Sequence, residues 1–216
     1  MEIYTCLKDL CEAVGTASLR EASQVAASYL RAYMEDVSVD DMGNVLGIRR
    51  CGRENAPCLL LEAHIDEIGF LVTGVDKQGF VHVSPYGGID PRVLAAAEVV
   101  IWADKPYEGV FCSTPPHLSG GAEGKLPEIP EMGIDIGMDG ETAQKAIQPG
   151  CPVTFRPGFF PLAGSCVSSK SLDDRAGVAS ILFCLELLKD VPLSVDIAAA
   201  FAVQEELGCR GSAVAA

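Results

Sequence analysis

The sequence predicts an α/β chain, a parallel-type mixed sheet flanked by helices, with a β-rich module inserted in it. Three observations carry this expectation. Apolar residues at helical spacing open the chain. Cys58-Leu59-Leu60-Leu61 is continuously apolar, the pattern of a strand covered on both faces. The middle of the chain then breaks into short β-prone runs punctuated by Gly and Pro. A chain of 216 residues hides ~70% of its unfolded surface on folding, and its 49% hydrophobic content excludes a disordered protein.

The elements follow in order. Leu7, Leu10, Cys11 and Val14 fall at i, i+3, i+4 and i+7 and place a helix at the start. A second helix is expected from Ser18, with Glu21 closing a capping box and an apolar stripe through Ala22, Val25, Ala26, Tyr29, Leu30 and Tyr33. A turn at Asp41-Met42-Gly43-Asn44 separates the β-prone runs Val37–Asp40 and Val45–Ile48. From about Gly69 to Gly158 the character changes: Phe70–Val75, Phe80–Val83, Glu98–Ala103, Gly109–Cys112 and Pro152–Phe155 are short strands, with a helical turn near Glu141–Ile147. Of 13 prolines, 11 lie between Pro85 and Pro161, as tight turns in a compact β module require. Residues 113–131 hold four Pro and three Gly and are expected to form a long loop. Beyond Leu162 the α/β alternation resumes, with a helix over Ala176–Leu188 and a buried strand over Val195–Val203. The layout is therefore an α/β domain from residues 1–68 and 159–216 around a β-rich module, 69–158. Gly211-Ser212 offers an N-cap, yet four residues follow it, so the chain reads as ending in mid-element and the α/β domain as incomplete at its C-terminus.

Charge restricts the partners. Sixteen Lys and Arg against 30 Asp and Glu leave −14, which opposes duplex nucleic acid, where basic side chains must replace counterions, and anionic membrane surfaces. Ile197–Val203 is too short to span a bilayer, and the first residues have neither the basic nor the apolar region of a signal peptide. Nine widely scattered cysteines, an odd number with no C-x-x-C pair, read as the reduced thiols of a cytoplasmic protein.

Three clusters stand where strands are expected to end. In Glu62-Ala63-His64-Ile65-Asp66-Glu67, an imidazole with an acid two residues on can ligate a metal while the carboxylate holds the other ring nitrogen; a satisfied core histidine is the commoner meaning of so short a motif. In Ser171-Leu172-Asp173-Asp174-Arg175-Ala176-Gly177, one acid would ordinarily cap the helix; two in succession allow one to bridge metals and the other to pair with Arg175. In Gln204-Glu205-Glu206-Leu207-Gly208, two acids end a strand that wants burial. They either face water or divide the roles of metal ligand and general base. Each cluster is weak alone; together, at strand ends of one sheet, they point to a ligand site. His82, inside an alternating strand, and His117, in the Pro/Gly loop, read as structural or solvent-facing.

These segments, Ala63 to Phe70, Leu172 to Gly177 and Gln204 to Gly208, resemble the signatures of the glutamyl aminopeptidase or tetrahedral aminopeptidase family of dinuclear metallopeptidases, some of whose relatives carry the label endoglucanase. Asp41-Met42-Gly43-Asn44, Gly87 to Arg92 and Ile134 to Gly137 are further matches, and the similarity runs in order along the whole chain. The resemblance implies a cytosolic metallo-aminopeptidase hydrolysing N-terminal residues from peptides through water activated by two divalent ions, zinc or cobalt foremost, with manganese as another candidate. His64 would ligate one ion with Asp66 behind it. Asp173 would bridge both, through a cis peptide to Asp174; Glu206 would ligate the other, and Glu205 would be the general base. The inserted module would make homo-oligomers.

The family has one further Asp and one further His ligand C-terminal to the Glu-Glu pair, and this chain stops before either. As it stands it is expected to be inactive or weakly active. Two alternatives accompany the aminopeptidase reading. An endoglucanase needs two carboxyls facing across a glycosidic bond, which adjacent Glu205 and Glu206 do not suit, and 6% aromatics is thin for sugar platforms. A non-catalytic remnant would only dimerise through its β module.

Overall fold

The computed structural model describes residues 2–113 and 127–216. It divides into two compact units, one made of the chain up to Glu67 together with Pro157–Ala216, the other Ile68–Arg156.

The first unit contains α1 (Ile3–Glu12), α2 (Glu21–Leu30), β1 (Glu35–Val39), β2 (Val45–Arg49) and β3 (Cys58–His64). It is completed by α4 (Leu172–Leu187), β12 (Asp196–Ala202) and α5 (Arg210–Ala215), with a small hairpin of β10 (Phe159–Pro161) and β11 (Val167–Ser169). Its main sheet has the order β1-β2-β12-β3. β12 runs antiparallel to β2 and parallel to β3, in a register that pairs Ala202 with His64. The apolar periodicity of the helices is what makes this unit pack: Leu10 of α1, Ala26 and Leu30 of α2, Leu182 and Leu185 of α4, and Phe201 of β12 are all fully buried in one core. Each large side chain of that set contributes roughly 1.5–3 kcal/mol through removal from water.

Two local expectations are corrected. β3 is the last strand of the sheet, so Leu59 and Leu60 are 51% exposed rather than covered on both faces. The capping box at Ser18 does not form: α2 starts at Glu21, and the Glu21 carboxylate instead accepts the N–H of Val14 at 3.0 Å.

The second unit is a closed barrel of order β4-β5-β8-β7-β6-β9, built from β4 (Gly69–Val75), β5 (Val81–Tyr86), β6 (Glu98–Trp102), β7 (Pro106–Phe111), β8 (Ile134–Asp135) and β9 (Pro152–Phe155), with α3 (Gly140–Ala146) beside it. Phe70, Val81, Val83, Ile101, Ile134 and Val153 fill it. The β4–β5 turn is set by Asp76, whose carboxylate accepts the N–H groups of Gln78, Gly79 and Phe80. Gly79 is obligatory there, because it has φ +103° and an added Cβ would lie 2.2 Å from the carbonyl of Met138. Of the loop expected over 113–131, residues 114–126 lie outside the described residues, and Ile129–Glu131 form a 3-10 turn. Among the described residues no helix is long and apolar enough to cross a membrane.

Candidate metal and catalytic site

The parallel pairing of β3 with β12 brings the carboxyl ends of both strands side by side in the first unit. His64 is the last residue of β3. Past β12 the chain turns sharply, because Gln204 takes the left-handed conformation at φ +57°, unusual for a residue with a side chain. Glu205–Leu207 then form a 3-10 turn, closed by Gly208 and Cys209, also left-handed.

Asp66 joins these two strand ends. It is buried, and its carboxylate accepts the N–H of Glu205 at 3.1 Å and of Glu206 at 3.4 Å. Its Oδ1 also faces Nδ1 of His64 at 3.5 Å, a longer electrostatic contact rather than a well-formed hydrogen bond. The backbone bonds turn both glutamate residues toward the histidine. His64, Glu205 and Glu206 each offer a ligand atom, all within 4.8 Å of one another.

Asp173 arrives from the start of α4. Asp173 and Asp174 are joined by a cis peptide and have non-helical backbone angles, so regular helix begins after them. Asp173 Oδ1 lies 3.0 Å from His64 Nε2, and Glu205 Oε2 is 3.9 Å from the same nitrogen. The second acid behaves differently from the sequence-based alternative: Asp174 does not pair with Arg175 but caps the regular helix, accepting the N–H of Gly177 at 3.0 Å. A side chain at 177 would bring its Cβ within 2.5 Å of that carboxylate.

Electrostatics follow from the acid cluster. Burial opposes a charge on His64, but the carboxylates of Asp66 and Asp173, with Glu205 nearby, outweigh it and raise the imidazole to about 9. Burial also raises Glu206; the His64 charge opposes this, and the neighbouring Asp66 and Glu205 charges add to it. One imidazole converging with carboxylates is a donor set of nitrogen and oxygen that suits several divalent ions. It also matches the ligand types of catalytic zinc sites. The residues present therefore fit a divalent metal. Beside them opens a cleft of ≈ 360 Å³ lined by Glu62, Ala63, His64, Glu205, Cys209 and Ser212.

All five site residues read from the sequence, His64, Asp66, Asp173, Glu205 and Glu206, lie together in this unit. His82 is apart from it, in β5, with Nε2 3.4 Å from Asp76; His117 is outside the described residues. Sequence reasoning missed the contributions of Cys209, whose thiol lies 3.5 Å from Glu205 Oε1, and of Asn44. Buried Asn44 donates to Asp40 and to the carbonyl of Gly211 and accepts the N–H of Val203, clasping both ends of the loop that carries the two glutamates. The Asp-Met-Gly-Asn motif held that signal unread.

Comparison with known proteins identifies relatives of the chain. The family model of M42 glutamyl aminopeptidase matches residues 43–216. The glutamyl aminopeptidase of Lactococcus lactis subsp. cremoris is 31% identical over 99% of this chain and 62% of its own length. The Pyrococcus horikoshii TET1 peptidase, described as assembling into a tetrahedron or a large octahedral shell, superimposes with a TM-score of 0.86 at 30% identity, over 99% of this chain and 64% of that one. A Thermotoga maritima structure named endoglucanase has a TM-score of 0.73 at 28% identity, over 92% and 58%. The chain thus spans somewhat less than two thirds of the length of these relatives.

Proposed function

The chain belongs to the M42 glutamyl aminopeptidase family, and from that membership we propose that the protein is a metal-dependent aminopeptidase releasing N-terminal residues from peptides. The observation that supports it most is the convergence of His64, Glu205 and Glu206 within 4.8 Å, with Asp173 beside them.

In this reading His64, Glu206 and Asp173 would hold two divalent ions, zinc or cobalt, His64 on one, Glu206 on the other and Asp173 shared by both. The ions would supply Lewis acidity toward the scissile carbonyl and the attacking water, and an anchor for the substrate's free amine. The chain's own residues do the rest. Asp66 orients the imidazole of His64 and holds the backbone of both glutamates in place. Glu205 is the general base: its side chain is 41% exposed and lines the cleft, within reach of a water. It takes the proton of that water as the carbonyl is attacked and returns it to the departing amine, a role worth ~10²–10⁴ in rate. The acidic lining of the cleft, Glu62 included, complements the positive N-terminus of a peptide.

The experiment is an assay of the purified protein on aminoacyl-p-nitroanilides after metal removal and after reloading with zinc or cobalt, with carboxymethylcellulose as a parallel substrate. Metal-restored release of p-nitroaniline is expected, at the weak level anticipated for this chain, and no sugar release. Cellulose hydrolysis without peptidase activity would favour the label of the Thermotoga relative, although glycoside hydrolysis needs carboxyls facing across the bond rather than two gathered around an imidazole. Assembly into homo-oligomers through the β-rich unit is part of the same proposal, as is a reducing, cytoplasmic setting, supported by nine free cysteines.

A further inference from the structure

Behind the site lies a second set of charges, none of it in the reaction just described. Arg175 is fully buried, Glu67 is 2% exposed, and the side chain of Lys170 is 5% exposed. Lys170 Nζ contacts Glu67 Oε2 directly, and Glu67 Oε1 lies 3.7 Å from Arg175 and accepts the N–H of Gly15 at 2.9 Å. Burying three ionised groups is expensive, and well-packed apolar residues serve stability as well or better. Their position in the sequence suggests what they do instead. Glu67 stands three residues after His64; Lys170 stands three before Asp173 and Arg175 two after it.

We propose that Arg175 is a positioning residue that sets the spacing of His64 and Asp173, with Glu67 and Lys170 holding its guanidinium in place. The inference rests on the metal reading of the site. Arg175 Nε donates to the carbonyl of Ile65 at 2.8 Å, one residue from His64. Its Nη1 donates to the carbonyls of Leu10 and of Ala13, the latter at 2.8 Å. One rigid fork therefore fixes the strand end that carries His64, the end of α1, and the non-helical start of α4 that carries Asp173. Asp173 needs such an anchor, since its own side chain is 92% exposed and its backbone angles are non-helical. A lysine would keep the charge but not the fork, whose several fixed donors bind more than one carbonyl at once. Gly15 packs against the guanidinium so closely that an added Cβ would lie 2.8 Å from Nη2.

The test is Co²⁺ binding to the full chain, read by the visible absorption band, which reports coordination geometry. Arg175→Lys is expected to weaken Co²⁺ binding by about tenfold or more, the scale seen when groups behind metal ligands are lost, and to change the band. Leu182→Ala, a core truncation in the same unit, lowers the melting temperature and leaves band and affinity as in the parent. An Arg175→Lys protein with lowered stability but parental band and affinity would overturn the proposal. Should Arg175→Lys not fold, Gly15→Ala decides in the same way, since it displaces the guanidinium without deleting it. A parent chain that gives no cobalt band refutes the metal reading itself, and this inference with it.

Discussion

Asp66 and Glu205 are joined by a hydrogen bond from the backbone N–H of the glutamate to the buried carboxylate of the aspartate, at 3.1 Å. Because the same carboxylate faces His64, one side chain touches both a histidine at the end of β3 and a glutamate beyond β12. Asp66→Asn keeps the shape but removes the charge and turns one acceptor into a donor. Metal affinity is expected to fall ~10–100-fold with the fold retained, measurable by calorimetric titration with Zn²⁺ alongside circular dichroism.

The two adjacent glutamates should separate cleanly. Glu205→Gln is expected to leave metal content near the parent's while peptidase turnover drops ~10²–10⁴-fold; Glu206→Gln should lower metal content itself. Elemental analysis after dialysis, paired with the p-nitroanilide assay, checks both. A Glu205→Gln protein emptied of metal would reverse the two assignments.

Asn44→Ala opens the clasp on the glutamate loop. The half-buried N–H of Val203 loses its acceptor and the carbonyl of Gly211 loses a donor, so the loss is expected at about 1–3 kcal/mol, read as a lower midpoint in urea unfolding. Gly211→Ala should be at least as harmful, since its Cβ would meet the carbonyl oxygen of Val203 at 2.1 Å.

Alkaline conditions should expose the thiol of Cys6. Burial first, and the charge of Asp9 second, push it up to about 12 from an ordinary 9.0. The folded state therefore holds this proton more tightly than the unfolded state. Its contribution is intact below pH 9 and is lost as pH rises from 9 through about 12. Across that window stability is expected to fall by up to ~1.4 kcal/mol per pH unit for this one group, and Cys6→Ala should flatten the slope in denaturation curves recorded against pH.

How much of this was legible in the sequence depended on distance along the chain. The period of Leu7, Leu10, Cys11 and Val14 marks α1, and the unbroken apolar run 197–203 marks β12, because both patterns are local. Sheet order is not local: Cys58–Leu61 has the composition of a central strand, yet β3 is the last strand and Leu59 and Leu60 are exposed. The Ser18–Glu21 capping signature was local but lost to a competitor, the N–H of Val14. Arg175 looked like a partner for its neighbour Asp174, whereas its acceptors are carbonyls 110 and more residues away. The five site residues were legible through a family resemblance; composition and spacing alone left each motif open.

The claim at the centre of this account is that His64, Asp173 and Glu206 hold the metal, and X-ray absorption at the zinc edge of the loaded protein tests it most directly. The expected result is a shell of nitrogen and oxygen near ~2.0–2.2 Å with the outer-shell scattering of an imidazole, lost in His64→Ala. A sulfur shell near ~2.3 Å would contradict it, because it would hand the zinc to one of the nine free cysteines, Cys209 beside Glu205 foremost.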